Sequence, residues 1–182
     1  MDTPSSAYTA TNAEVYAHDF YAWCLTTAEL VRSGQWDAID PEALVEELES
    51  LGVSQKHELE SRLEVLMMHL LKWEFQPQGH EDSHSWYDTI VEQRQAIARV
   101  LRDSPSLRRL VPDLLTGVYA GARTRAIGAM GVLGPLLPGQ GPLQRASTLD
   151  VRELVRRSML PTTCPWNTAE VLDPEFWPLP LP

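Results

Sequence analysis

Between residues 58 and 77 the chain reads ELESRLEVLMMHLLKWEFQP, which sets Leu59, Leu63, Leu66, Leu70 and Trp73 at spacings of four, three, four and three. On a helix this spacing draws one apolar seam, and such a seam is buried only by packing against further helices. The other periodic stretches share that period. Thr11 or Asn12 can cap a helix that carries Tyr16, Phe20, Trp23 and Leu30 and stops at Gly34. Asp40 and Pro41 supply a cap and a first helical position for the next, where Leu44, Leu48 and Leu51 share a face and Gly52 is a place to bend or break. Pro77 and Gly79 close the leucine seam.

Beyond it, Ser85 and Asp88 form a capping box for a helix whose apolar face is Trp86, Ile90, Ile97, Val100 and Leu101. Ser104 and Pro105 start another, with Val111, Leu114, Leu115 and Val118 inward and a continuation to Arg125; Pro112 is absorbed near its start or displaces that start by a turn. No run of alternating β-branched residues competes with these helices. The expectation is an all-α, single-domain helical bundle: 10–125 the main bundle, 126–149 an irregular Gly/Pro-rich insertion, and 150–182 a C-terminal helix and extended tail. That last helix runs from Asp150 to Met159, and Trp166, Phe176 and Trp177 anchor the tail.

A chain of 182 residues is long enough to bury one sizeable core, hiding about 70% of its unfolded surface. Staples are unnecessary, and the two cysteines, Cys24 and Cys164, stand far apart with no CxxC partner. The opening MDTPSSAYTATNAE has neither a basic stretch nor an apolar run, and nowhere do about 18 apolar residues follow one another. These features point to a soluble cytoplasmic protein. The net charge of −10 disfavours a duplex or an anionic membrane as partner of the whole molecule. Yet the charge is split. Residues 40–82 carry eleven acidic side chains against Lys56, Arg62 and Lys72, a net of −8, whereas residues 94–157 carry eleven arginines against four acids, a net of +7. Faces that neutralise each other within the fold explain such a split; a homodimer that exchanges them and a basic patch for a polyanion are the alternatives.

The string HEDSH, His80 to His84, matches the HExxH of zinc metallopeptidases. Its context does not fit. Asp82 and Ser83 prefer caps to helix interiors, the box at Ser85 sets His84 just outside the helix, and Tyr87 stands where the extended pattern requires glycine. We read His80, Glu81 and His84 as a chance match and expect no metal. The leucine seam is bordered by Arg62 and His69, seven apart, with Lys72 and Gln76 just beyond, and Gln93 interrupts the apolar face of the next helix beside Arg94. An unpartnered buried amide costs about 1–3 kcal/mol, so Gln93 is expected to meet polar atoms of the facing helix. Such a cluster suits one of two roles. It is either a hydrogen-bonded network that fixes helix register, or an anion-binding, acid–base site. In the second case His69 and Gln93 are the catalytic candidates, and Arg62, Lys72, Gln76 and Arg94 hold the ligand.

No GxSxG, P-loop or GxGxxG occurs, and Glu46, Glu47 and Glu49 lack the paired ExxH helices of a di-iron bundle, so no cofactor is expected. Taken in order, YAHDFYAW, ELESLG, ELESRLEVLMMHLLKWEFQP, SW, TIVEQR, LRDSPSLR, CPW and LDPEFWP resemble a bacterial family known as domain of unknown function family 29. The resemblance covers nearly the whole chain and implies a compact all-helical protein; it implies no catalytic residues. HEDSH falls where the family has a variable basic loop, and 126–149 resembles an insertion. The function expected is a binding or protein-interaction module, with a small hydrolase acting on a phosphorylated or nucleic-acid substrate as the alternative. Its partner would be another protein or a small anionic ligand, with nucleic acid the lesser alternative and no membrane.

Overall fold

The structure, a computed structural model, describes residues 11–76, 84–130 and 160–179. Among them lie six α-helices and no strand, so the chain is all-α. They are α1 (Asn12–His18), α2 (Phe20–Ser33), α3 (Pro41–Phe75), α4 (His84–Asp103), α5 (Val111–Ala129) and α6 (Thr168–Leu172). Short 3-10 turns at Trp36–Ala38 and Pro105–Leu110 precede α3 and α5. The chain divides into two compact units, Met1–Ser54 and Gln55–Pro182, and the boundary falls inside α3.

In the first unit the helix expected from Thr11 to Gly34 is two helices. Thr11 caps α1 in a full capping box with Glu14, but Asp19 leaves helical geometry at φ −148° and its carboxylate accepts from the Ala22 N–H at 2.9 Å, starting α2 afresh. The aromatic stripe survives the break: Trp23 lies 4.9 Å from Tyr16 and 5.7 Å from Phe20, centroid to centroid. Gly34 ends α2 in the left-handed region at φ 74°, a conformation that costs an L side chain about 1 kcal/mol. Asn12 joins the pieces. Its carbonyl oxygen accepts from the Trp23 indole N–H at 3.0 Å and from the Asp40 backbone N–H at 3.1 Å, while its amide donates to the Thr27 hydroxyl at 2.8 Å. Asp40 in turn caps α3, accepting from the N–H groups of Glu42 and Ala43.

The α3 helix does not bury Leu44, Leu48 and Leu51 as a core face. Ala43 is buried there, and Leu48 and Leu51 are 60% and 64% exposed. Nor does Gly52 break it, since the helix runs unbroken through that residue.

In the second unit the leucine seam forms the core as expected. Leu59, Leu63, Leu66 and Leu70 are wholly buried, and Met67, Leu71 and Phe75 widen the stripe. Ile90, Ile97, Val100 and Leu101 of α4 join the same cluster, with Val111, Leu114, Leu115 and Tyr119 of α5. Helix α4 starts at His84, which makes Ser85 its second residue rather than its cap. Pro112 displaces the α5 start: Pro105–Leu110 winds as a 3-10 turn, and α5 begins at Val111 with the proline in its first turn, where a missing N–H costs nothing. Residues 126–129, expected in the irregular insertion, complete α5 because Ala126 still faces the core. The rest of that insertion, 131–149, and the expected helix Asp150–Met159 lie outside the described residues. Leu160, Val171 and the partly buried Trp166 and Trp177 bring the C-terminal segment onto the core.

Candidate functional site

Of the polar residues singled out on α3 and α4, Arg94 is the most buried, at 5% exposure. Its guanidinium is occupied by backbone. Nε donates to the Val171 carbonyl at 3.1 Å, Nη2 to Phe176 at 2.7 Å and Nη1 to Pro174 at 3.4 Å, and the Trp177 ring lies 5.5 Å beneath it. Trp177 itself stacks on Tyr87 with centroids 4.9 Å apart and planes at 5°, and tilts against Trp73 at 4.9 Å. Two further side chains act alike: Arg123 donates to the Leu160 carbonyl at 3.0 Å and Tyr119 to the Pro161 carbonyl at 2.8 Å. The arginine that sequence spacing offers as an anion ligand is here a clamp on the last turn of α6 and the residues that follow it.

Among the described residues no hydrogen bond joins the remaining members of that cluster to one another. His69 is half-buried, with Nδ1 2.9 Å from the Val65 carbonyl; a carbonyl only accepts, so the proton sits on Nδ1. Burial pushes this imidazole below its ordinary range and outweighs the opposing effect of the Val65 bond; nearby Lys72 pushes the same way as burial. The Lys72 ammonium lies 4.1 Å over the Trp86 ring, and burial lowers its pKa. Arg62 pairs with Glu58 one turn back, at 2.8 Å, on the helix surface. Gln76 keeps a buried Oε1 without a hydrogen-bond partner among the described residues, as does Glu74 at Oε2. Gln93 is half-buried and makes no hydrogen bond with His69, Lys72 or Arg62 among the described residues, so the network expected around it does not assemble. His80 and Glu81 lie outside the described residues; His84 is the first residue of α4. Among the described residues no three His, Cys, Asp or Glu side chains are grouped to hold a metal ion.

A cleft of about 450 Å³ in the second unit is lined by Thr116, Tyr119, Thr163, Cys164 and Asn167, among others. Burial keeps its Cys164 thiol protonated, and the thiol donates to the Trp166 carbonyl at 3.1 Å. Burial likewise pushes the Tyr119 phenol up to about 12. The cleft offers weak donors and no activated nucleophile.

What spacing alone missed is in the first unit. Phe20, Tyr21, Leu25 and Val31 of α2, Trp36, and Val45, Leu48, Leu51 and Val53 of α3 all stand more than a third exposed. On α3 the turn-by-turn set Leu44, Leu48 and Leu51 is flanked across Val45 by a second set, Glu42, Glu46 and Glu49, and Pro41, Val45 and these three glutamates line a shallow groove of about 370 Å³. No ion pair reaches these three carboxylates among the described residues. The inner side of this helix is fixed independently: Tyr16 donates to Glu47 Oε1 at 2.7 Å, and that bond, with burial adding to it, pushes the phenol up to about 12. Residues 11–54 hold nine acids against Arg32, a net of −8. An alternation of apolar and polar residues at helical period predicts burial, and the sequence carries no signal that this stripe faces outward.

The model of a protein family, described as Domain of unknown function DUF29, matches residues 15–177. No curated protein and no solved structure matches the chain.

Proposed function

The chain belongs to that family, Domain of unknown function DUF29, and from the surface of its first unit we propose that it is a protein-interaction module whose docking face is the first half of α3. The observation that carries this reading is the exposure of Val45, Leu48, Leu51 and Val53 at 50% or more on consecutive turns of one helix. Apolar side chains exposed singly are ordinary, but an exposed run rimmed by charge is the mark of a surface that another molecule covers. The polar groups in the core support the same reading from the other side. Arg94, Arg123 and Tyr119 hold backbone carbonyls, which is work of packing rather than of catalysis.

The test is a photoreactive residue placed at Val45 in the full chain, expressed in its own cells. A discrete adduct with a different protein is expected, and the double substitution Leu48→Ser/Leu51→Ser should remove it while changing stability by no more than about 0.5 kcal/mol, the usual limit for surface positions. An adduct that survives the double substitution, or none at all, would sink the reading.

A further inference from the structure

We infer that the partner segment received by the first half of α3 is a basic amphipathic helix, a proposal that rests on the interaction-module reading above and gives its partner a chemistry. Three features of the face select this occupant. The apolar set Leu44, Leu48 and Leu51 recurs at spacings of four and three over two turns, about 10 Å, which is the ridge that a second helix packs against with its own i, i+4, i+7 side chains. Beside that ridge Glu42, Glu46 and Glu49 repeat at the same spacing, line the shallow groove with Val45 and Pro41, and meet no cation among the described residues. A partner helix that lays leucine-like side chains on the ridge therefore carries its lysines or arginines one turn apart along one edge. Its length need only match the stretch from Pro41 to Val53, 13 residues.

The charge of the unit decides against the other occupants. A second copy docked about a twofold axis would bring the same acidic edge against itself, and the net −8 of residues 11–54 would be set against its own copy. An anionic lipid surface or a nucleic acid meets the same repulsion. The glutamates thus do two things: they orient a basic helix, and they reject acidic ones.

The experiment titrates the full chain against three synthetic helical peptides by fluorescence anisotropy at low and at high salt. The first has leucines at i, i+4, i+7 with lysines along one edge; the second keeps that composition with the leucines scrambled; the third replaces each lysine with glutamate. The first alone should bind, weaken at high salt, and lose about tenfold or more in affinity with Leu48→Ser/Leu51→Ser. It should also lose its salt dependence with Glu42→Gln/Glu46→Gln/Glu49→Gln. Val45→Glu serves as a second apolar variant, and the urea midpoint of each variant confirms its fold. Equal binding of the scrambled peptide, equal binding of the acidic peptide, or no binding of any peptide overturns the inference. So does self-association of the chain that Leu48→Ser/Leu51→Ser abolishes. The Val45 cross-link reads the interaction module independently, so an adduct with a protein that presents an acidic or neutral helix defeats this inference and leaves that reading standing.

Discussion

Arg94 shows how one side chain changes meaning between sequence and structure. By spacing it belongs beside Gln93 at the edge of an apolar stripe, where an anion ligand and a packing group look alike. In the fold its donors meet the carbonyls of Val171, Pro174 and Phe176, partners 77 to 82 residues away, and no local pattern announces them. Replacing it by lysine keeps the charge and loses the planar fork, so one or two carbonyls go unpaired. Arg94→Lys should cost about 2 kcal/mol in urea unfolding, with the emission of the tail tryptophans shifting before the main transition. His69 carries a pH signature of a different sort. Its folded pKa lies below the ordinary 6.5, so between the two values the unfolded chain binds the extra proton. The stability owed to the neutral imidazole is therefore whole above pH 6.5 and declines as the pH falls from there to the folded value. Relative to His69→Gln, the wild-type urea midpoint should drop between neutral and mildly acid pH; equal slopes for the two proteins would contradict the assignment.

At the scale of elements, α3 is one helix with two environments. Its second half buries Leu59, Leu63, Leu66 and Leu70 completely, as four-three spacing requires, whereas its first half has the same spacing at Leu44, Leu48 and Leu51 and leaves the last two exposed. Periodicity fixes which residues share a face; it does not say whether another element arrives to cover that face. Helix ends were more legible, because capping is local chemistry. Asp40 with Pro41, Thr11, and Gly34 all act as their types dictate, and the break at Asp19 is of the same kind, a short carboxylate taking an orphan N–H. Two glycines make the contrast measurable. A Cβ at Gly52 would meet nothing within 4 Å inside a helix, while Gly34 sits at φ +74°. Gly52→Ala should raise the thermal midpoint, worth about 0.5–1 kcal/mol, and Gly34→Ala should lower it by about 1 kcal/mol. A fall in both would refute the helical assignment around residue 52, and a rise in both the left-handed conformation at residue 34.

The whole molecule consists of two units with unequal interiors. Among the described residues, the first buries only Trp23, Thr27, Ile39 and Ala43, organised by the polar hub at Asn12, while the second encloses a cluster of more than twenty side chains. Small interiors open more readily. Amides in α2 should therefore exchange with deuterium at least about tenfold faster than those of Leu63 to Leu71, and equal protection would mean that the first unit opens only on global unfolding. Charge follows a similar division. The acid-rich half was expected to neutralise the arginine-rich half, yet among the described residues one ion pair links them, Arg125 to Glu64 at 3.1 Å, and Arg99, Arg108 and Arg109 stand exposed. The sequence by itself determined the helical class, the buried leucine seam and the helix ends at Thr11, Gly34 and Asp40, and its phrases led to the family; each of these depends on residues within a turn or two of one another. Only the tertiary structure decided that Arg94 closes on a distant backbone, that Gln93 and His69 share no hydrogen bond among the described residues, and that Leu48 and Leu51 face outward. The burial of a side chain is set by whichever segment packs on it, and that segment lies far along the chain or in another molecule.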